Sequence, residues 1–279
     1  MEERIITEEL VAGFVRYLLM EEKSRATQQK YVRDVQAFRR YAAGSTVTKE
    51  LVISYKNHCI EHGYAPRSIN SMLASVNSFL FFVGWQDCKA KNLRLQRRTY
   101  TDLEKELSRA EYLRLLEASR QDARLNLLMQ TLCGTGIRVS ELRFFTVETV
   151  RLGEIRVSCK GKTRAILVPG KLRKALLTYA KQQGISRGAI FVSKNGVPLD
   201  RSNIWSQMKR LCAAARVSAS KVFPHNLRKL FARAFYDLEK DIAKLADVLG
   251  HSSIDTTRIY IMTTGKEHRR KLERLGLVI

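Results

Sequence analysis

Six residues between positions 138 and 260 have side chains that could act together on a phosphate ester. They are Arg138, Lys160, His225, Arg228, His251 and Tyr260. Tyr260 follows His251 by nine residues in the segment LGHSSIDTTRIY. A phenol can serve as a nucleophile, but its unperturbed pKa lies near ~10, so neighbouring groups must activate it. The spacing places an imidazole close enough to Tyr260 to take part.

The two arginines of this set suit a phosphate, because a planar guanidinium donates two parallel hydrogen bonds to nonbridging oxygens. Arg138 lies in GTGIRVSEL, and Glu141, three residues later on the same face, can orient it. Arg228 follows His225 by three residues in PHNLR, so both side chains can serve one phosphate. Each pair alone is more typical of a surface ion pair or a satisfied polar residue. Their combination favours phosphoryl chemistry.

Two lysines lie between short runs of β-prone residues at 154–159 and 165–169, a pattern that predicts a hairpin. Lys160 or Lys162 at its tip could contact phosphate, or could protonate a leaving alkoxide if neighbouring cations lower its pKa. The sequence leaves the choice between the two open.

The charge of the chain indicates a polyanionic partner. Among 279 residues, 50 Lys plus Arg face 27 Asp plus Glu, a net charge of +23. No run approaches the roughly 18 apolar residues of a spanning helix, and the start MEERIITEEL does not resemble a signal peptide. We therefore expect no membrane partner and a cytoplasmic, nucleoid-associated protein.

The positioning elements fall into a helical part at 1–88, a basic linker at 89–106 and a mixed part at 107–279. In the first part, apolar residues at three- and four-residue steps predict four helices, with Thr7, Ser24 and Thr48 at helix starts. In the last, Ser108 and Glu111 predict a capping box. Further helices are predicted at 122–133, 171–183, 202–215, 225–238, 241–249 and from 266, with a short strand at 191–192.

Basic residues in three places are candidate DNA contacts, on the second helix, in the linker and at the hairpin. They are Arg25, Lys30, Arg33, Arg97, Arg98, Lys162 and Arg164. From charge alone a solvated basic face is an equal alternative for the helix. In the linker the net charge favours two lobes closing around a duplex over a hinge without DNA contacts.

Four stretches of the chain resemble the tyrosine recombinases, also called the phage integrase family, and within it the compact Xer-like and transposon-type integrases. They are residues 135–142, 159–161, 224–228 and 249–260, with a looser match at 24–38. The resemblance implies a mainly α fold with a small β-sheet. It further implies an N-terminal four-helix, SAM-like core-binding domain and an α+β catalytic domain, which form a C-shaped clamp on DNA.

Residue by residue, the resemblance implies that Arg138 and Arg228 hold the scissile phosphate and that Tyr260 is the nucleophile. Lys160 protonates the leaving 5′ oxygen, while His225 is the general base or a hydrogen-bonding partner. The remaining two positions are His251, the second histidine, and Glu141, which braces the first arginine.

The resemblance also implies partners and a reaction. A covalent 3′-phosphotyrosyl intermediate and a Holliday junction would integrate or excise a mobile element or resolve replicon dimers. No metal or other cofactor is expected. The partners are double-stranded DNA with inverted-repeat sites and further copies of the chain, a dimer on each site and a tetramer in the synapse. The last helix, 266–279, would dock on a neighbour, and docking within its own domain stays open, as do accessory proteins.

Three departures and two rival functions accompany this interpretation. Lys229 replaces the usual histidine of LRH, Asn70 and Asn77 stand where many relatives carry arginines, and one extra residue precedes Val168. A type IB topoisomerase would use the same chemistry without pairing two sites. A noncatalytic DNA-binding or architectural protein would have no use for a nucleophile.

Overall fold

The computed structural model describes residues 4–96, 103–159, 162–193, 195–262 and 265–276. The chain divides into two compact units, Met1–Arg97 and Arg98–Ile279. Most of the described chain is helical, with one small sheet, as predicted.

The N-terminal unit is a bundle of four helices. They are α1 (Glu8–Met20), α2 (Arg25–Ala42), α3 (Lys49–Glu61) and α4 (Pro66–Phe82). Thr7, Ser24 and Thr48 accept hydrogen bonds from the first turns of α1, α2 and α3, as the sequence predicts. Aromatic side chains fill the centre, where Phe14 meets Phe79 edge to face with ring centroids 5.4 Å apart.

Two asparagines of α4 explain one departure from the family pattern. Asn77 pairs its amide with the backbone of Ala90, donating at 2.9 Å and accepting at 3.2 Å. Asn70 pairs in the same way with Leu93, at 2.9 Å and 2.8 Å. Both side chains therefore hold the first part of the predicted linker against α4.

The second unit combines ten helices of the described residues with a two-stranded antiparallel sheet. The helices are α5 (Arg109–Ala118), α6 (Ala123–Thr135), α7 (Val147–Leu152), α8 (Gly170–Gln182), α9 (Arg201–Arg210), α10 (Cys212–Ala215), α11 (Pro224–Glu239), α12 (Ile242–Leu249), α13 (Ile254–Ile261) and α14 (Gly265–Glu273). The strands are β1 (Glu154–Cys159) and β2 (Lys162–Leu167). Ser108 and Glu111 form the predicted capping box of α5.

Three predicted boundaries are wrong. The helix expected over 202–215 is two helices, α9 and α10, that meet at Leu211. The second strand begins at Lys162 instead of Ala165, because pairing continues to Cys159 opposite Lys162. Among the described residues, the strand expected at 191–192 is a single bridge between Val192 and Pro198.

Two apolar clusters support the second unit. The larger one surrounds α6, where Leu128, Met129 and Leu132 are fully buried. The smaller one contains Leu245, Leu249 and Tyr260 and lies beneath α11, α12 and α13. In the part of the chain that the structure describes, no helix has the length and apolar character needed to cross a bilayer.

Candidate active site

Arg228 lies at the centre of the site, on the first turns of α11, and is only 2% exposed. It donates to the carbonyl of Gly136 at 2.6 Å, to that of Leu249 at 2.8 Å and to Nε2 of His251 at 2.9 Å. Burial lowers the pKa of Arg228 to about 10, and the charge of Arg138 acts in the same direction, whereas Tyr260 opposes the shift. The guanidinium is still charged at neutral pH.

Arg138 stands at the start of a short 3-10 turn, Val139–Phe144, and its partner Glu141 is buried. The Glu141 carboxylate accepts the Arg138 backbone N–H at 2.7 Å and its guanidinium at 3.3 Å. It also accepts a hydrogen bond from Arg164, on β2, at 2.6 Å. A second Arg138 donor reaches the carbonyl of Gly250 at 3.3 Å. One carboxylate thus orients two arginines.

Two glycines bring backbone carbonyls to these arginines. Gly136 and Gly250 both adopt positive φ, +61° and +63°, at the ends of α6 and α12. A Cβ on Gly136 would lie 2.2 Å from the Phe231 ring, and one on Gly250 would lie 2.3 Å from Cδ of Arg164. Glycine is therefore required at both positions, by conformation and by space.

The hydrogen bonds of His251 define its tautomer. An arginine can only donate, so Nε2 of His251, which contacts Arg228, must be the unprotonated nitrogen. Its Nδ1 then carries the proton and donates to Oγ1 of Thr257 at 2.8 Å. Burial, with the charges of Arg228 and Arg138, lowers the pKa of His251 to about 4. The ring is neutral at physiological pH.

Tyr260, on α13, is 6% exposed, and its ring is close to two imidazoles. Its ring stacks on His251 with centroids 5.4 Å apart and an interplanar angle of 14°, and its centroid is also 5.4 Å from that of His225. Ser253 caps the helix that carries Tyr260, because its hydroxyl accepts a hydrogen bond from the Asp255 N–H. His251 and Tyr260, nine residues apart in the sequence, are in ring contact because α13 packs against α12 and α11.

His225 is exposed and, together with Arg138 and Arg228, lines a cavity of about 590 Å³. Packing around its ring, together with the charge of Arg228 and of Lys229, lowers the pKa of His225. A lower pKa favours the neutral imidazole, which has a free nitrogen that can accept a hydrogen bond.

The structure brings together Arg138, Glu141, His225, Arg228, His251 and Tyr260. Lys160, Arg97 and Arg98 lie outside the described residues. Lys162 begins β2 and pairs through its backbone with Cys159.

Two of the predicted DNA contacts are engaged inside the protein. Lys30 donates to Asp34 and to the Ser71 carbonyl, both at 2.6 Å, and to Ser75 at 2.9 Å. Because an ammonium group has three N–H donors, this side chain joins α2 to α4 and has none left for a phosphate.

Arg164 is the other, with a side chain only 12% exposed that bonds Glu141 and the Val248 carbonyl. By contrast, Arg25 is exposed, and the side chain of Arg33 is 74% exposed.

The sequence reasoning missed Thr257 and the bracing role of Arg164. Thr257 lies in a run of Ser and Thr residues, and nothing in that run marks it as the partner of His251. Net charge does not distinguish a buried arginine such as Arg164 from a surface one. It also missed Arg143, Arg201 and Trp205, which share the cavity with the two anchoring arginines. A basic residue followed four positions later by an aromatic one, as in Arg201 and Trp205, was the available signal.

The helical bundle and the mixed domain with this cluster are typical of enzymes that break DNA with a tyrosine. Residues 105–267 match the model of the phage integrase family, and residues 11–87 match that of the phage integrase N-terminal SAM-like domain. The chain is 30% identical to the tyrosine recombinase XerA of Pyrococcus furiosus over 286 aligned positions, covering 100% of this chain and 98% of that protein.

Solved structures are similar over nearly the whole chain. A crystal structure of XerA recombinase aligns with a TM-score of 0.55 and 26% identity, covering 98% of this chain and 100% of the other. A lambda integrase (75-356) dimer bound to a COC′ core site aligns with a TM-score of 0.75 and 18% identity over 93% of this chain and 96% of the other. A lambda integrase tetramer bound to a Holliday junction aligns at 0.74, also with 18% identity, over 93% and 78%. The chain belongs to the phage integrase family, and its function is site-specific recombination.

Proposed function

We propose that this recombinase cleaves DNA through Tyr260 and that Arg138 and Arg228 hold the phosphate under attack. The observation that carries this proposal is the environment of Arg228. Its guanidinium is buried, and the groups that it contacts among the described residues are two backbone carbonyls, the neutral His251 imidazole and the Tyr260 phenol. A buried charge among neutral partners is costly unless an anion compensates it. The phosphate of a DNA strand is such an anion.

The charge balance around Arg228 points the same way. Arg138 and Arg164 share the buried carboxylate of Glu141, and the charges of both arginines act on Arg228, so positive charge exceeds negative charge among these four side chains. Negative charge builds up on the phosphoryl oxygens during transfer, and preorganised donors stabilise it there. Loss of one such donor typically costs ~3 to 4 kcal/mol of barrier.

In the proposed step, the phenolic oxygen of Tyr260 attacks phosphorus while the bond to the 5′ oxygen breaks. His225, near the phenol, accepts the phenolic proton or a hydrogen bond from it. Lys160 gives its proton to the departing 5′ oxygen, with Lys162 as the alternative donor. The products are a 3′-phosphotyrosyl bond and a free 5′ hydroxyl.

The reverse reaction needs no external energy source. A phosphotyrosyl bond and a phosphodiester are close in free energy, so a 5′ hydroxyl from another strand can displace Tyr260. Exchange of partners at this stage recombines two duplexes through a Holliday junction. We propose that the chain uses this exchange to integrate or excise a mobile element or to resolve replicon dimers.

The chain as a whole is proposed to bind duplex DNA that carries inverted repeats. The net charge of +23 and the exposed Arg25 and Arg33 support phosphate contacts, to which the linker residues Arg97 and Arg98 would add. Such contacts release counterions, so the affinity should fall steeply as salt is added.

Assembly is proposed to use the last helix, α14. Its Leu272 and the following Leu275 are 55% and 59% exposed, which suits docking on a second copy of the chain. The same unit carries an apolar groove of about 1090 Å³ between α5 and α11 that includes Tyr112, Leu113 and Leu230. We propose that the groove of one copy receives α14 of the next, so that dimers and tetramers form on DNA.

A nicked suicide duplex tests the nucleophile. The probe carries the inverted repeat that the chain selects from a randomised DNA pool, with a nick that lets the 5′ fragment diffuse away. The parent should become covalently attached to the 3′ fragment, whereas Tyr260→Phe should not. Tyr236→Phe is the matched control, because Tyr236 packs against the same small cluster and should trap at the parental level.

Other outcomes separate the rival functions. Equal trapping by Tyr260→Phe would show that another residue is the nucleophile. Relaxation of a supercoiled plasmid that lacks the selected repeat would favour a topoisomerase. Tight, salt-sensitive binding that is never covalent would favour a noncatalytic binding protein.

A further inference from the structure

Glu106 is a buried carboxylate at the end of the predicted linker, 6% exposed, and it meets two cations of α11. Its Oε1 accepts a hydrogen bond from Lys229 at 3.2 Å, and its Oε2 lies 2.9 Å from a terminal nitrogen of Arg233. Lys229 is the residue that replaces the family's usual histidine. This charge cluster therefore gives the departure a structural role.

Arg233 has a second partner close to the proposed nucleophile. Its other terminal nitrogen donates to the carbonyl of Met262 at 2.7 Å. Met262 is the residue at which α13 ends, two positions after Tyr260. The same side chain thus connects α11, which carries His225 and Arg228, to the end of the helix that carries Tyr260.

The contact between Arg233 and the Met262 carbonyl stabilises the C-terminal end of α13. The last carbonyls of a helix have no partner within it, and a cation there also complements the helix dipole. With eight residues, α13 gains little stability from its own hydrogen bonds, so its orientation depends on tertiary contacts. Arginine can serve a carboxylate and a carbonyl at once because its donors form a rigid fork, which a lysine lacks.

We propose that Arg233 is a positioning residue that sets the place of Tyr260 relative to the phosphate-holding arginines, and that Glu106 orients Arg233. The proposal rests on the assignment of Tyr260 as the nucleophile. A displacement of about 1 Å at a reacting group can cost on the order of 100-fold in rate. Arg233 itself touches neither the reacting phenol nor, by this proposal, the DNA.

Cleavage measured at saturating DNA tests the proposal on the full chain. The probe is the same nicked suicide duplex, and the rate of covalent attachment is followed under single-turnover conditions. Arg233→Gln should lower this rate on the order of 100-fold, while the affinity for DNA changes less than about threefold. Arg233→Lys, which keeps the charge near Glu106 but loses the fork, should fall in between.

Two further variants distinguish positioning from general stability. Lys229→Gln removes a cation from the same carboxylate without touching Met262, so it should cleave within about threefold of the parent. Glu106→Gln should slow cleavage, and combining it with Arg233→Gln should add little, because both changes act through one contact.

The outcomes that overturn the proposal differ from those that overturn the nucleophile. If Arg233→Gln and Arg233→Lys both cleave at the parental rate while Tyr260→Phe does not, Arg233 has no positioning role. Lys229→Gln and Arg233→Gln could instead lose the same fraction of the cleavage rate, with a lower urea midpoint of unfolding in both. That result would show that the cluster contributes to stability alone. Trapping by Tyr260→Phe would instead remove the assignment on which the proposal rests. If Arg233→Gln does not fold, the graded rate of Arg233→Lys decides.

Discussion

Arg228 donates a hydrogen bond to Nε2 of His251 across 2.9 Å, and this contact determines which nitrogen of the histidine carries the proton. Because the proton must lie on Nδ1, Thr257 serves as its acceptor from within the core, where it is fully buried. Arginine, histidine and threonine form one chain of hydrogen bonds that reaches the ring stacked on Tyr260. The orientation of the His251 ring therefore depends on both Arg228 and Thr257.

Loss of the Thr257 hydroxyl should disturb this chain. Thr257→Val preserves the shape of the side chain but leaves Nδ1 of His251 without its acceptor, so the tautomer and the ring orientation are no longer fixed. We expect cleavage of the suicide duplex to slow by roughly 10-fold or more, by analogy with metal-ligating histidines that lose the hydrogen-bond partner of their other ring nitrogen. Thr256→Val, one position away and exposed, is the control and should cleave like the parent. An unchanged rate in Thr257→Val would mean that Arg228 alone fixes the ring.

The stability of the protein should fall as the pH drops below neutral. The folded pKa of His251 is about 4, below the ~6.5 of an unfolded histidine, so between these values the unfolded chain binds a proton that the folded chain does not. This contribution is fully present above pH 6.5 and diminishes as the pH falls, by about 2 kcal/mol at pH 5.

Urea unfolding at pH 7.5 and pH 5 measures this effect. His251→Gln should lose the corresponding part of the pH dependence, whereas His62→Gln, a change at an exposed histidine of the other unit, should keep the parental response in full. Equal pH dependence in the parent and His251→Gln would contradict the depressed pKa.

Gly250→Ala should be strongly destabilising. The residue has a φ of +63°, and the added Cβ would lie 2.3 Å from Cδ of Arg164, whose position is held by Glu141 and Val248. Strain and clash together should lower the free energy of unfolding by roughly 2 to 4 kcal/mol. Gly184→Ala separates the two effects, because Gly184 has a similar φ of +69° and no atom within 4 Å of the added Cβ. Similar losses in both variants would show that Arg164 moves away without cost.

Much of the local structure could be predicted because its signals are local. Thr7, Ser24 and Thr48 act on amides a few residues away, and the sequence shows the cap and its helix together. The order of the six candidate residues was equally legible, because each lies in its own short motif.

The hydrogen-bond partner of a charged side chain could not be predicted from the sequence when that partner lies far along the chain. Lys30 bonds Ser75, 45 residues away, and Arg164 bonds Val248, 84 residues away. Both are predicted DNA contacts, because a charge count cannot tell a solvated cation from one whose hydrogen-bond donors are used by distant elements of the protein. The boundary between α9 and α10 was missed for a related reason, since the apolar spacing continues through Leu211.

The close packing of Tyr260 also bears on the safety of the reaction. Each phosphotyrosyl intermediate is a broken strand, and a water molecule that hydrolysed it would leave a permanent nick in the genome. Tyr260 is 6% exposed, and the rings of His225 and His251 each have a centroid 5.4 Å from that of its ring, so little of the residue is open to water. With Tyr260 as the proposed nucleophile, this limited access of water favours a DNA hydroxyl as the group that releases the enzyme, and each break would then stay reversible.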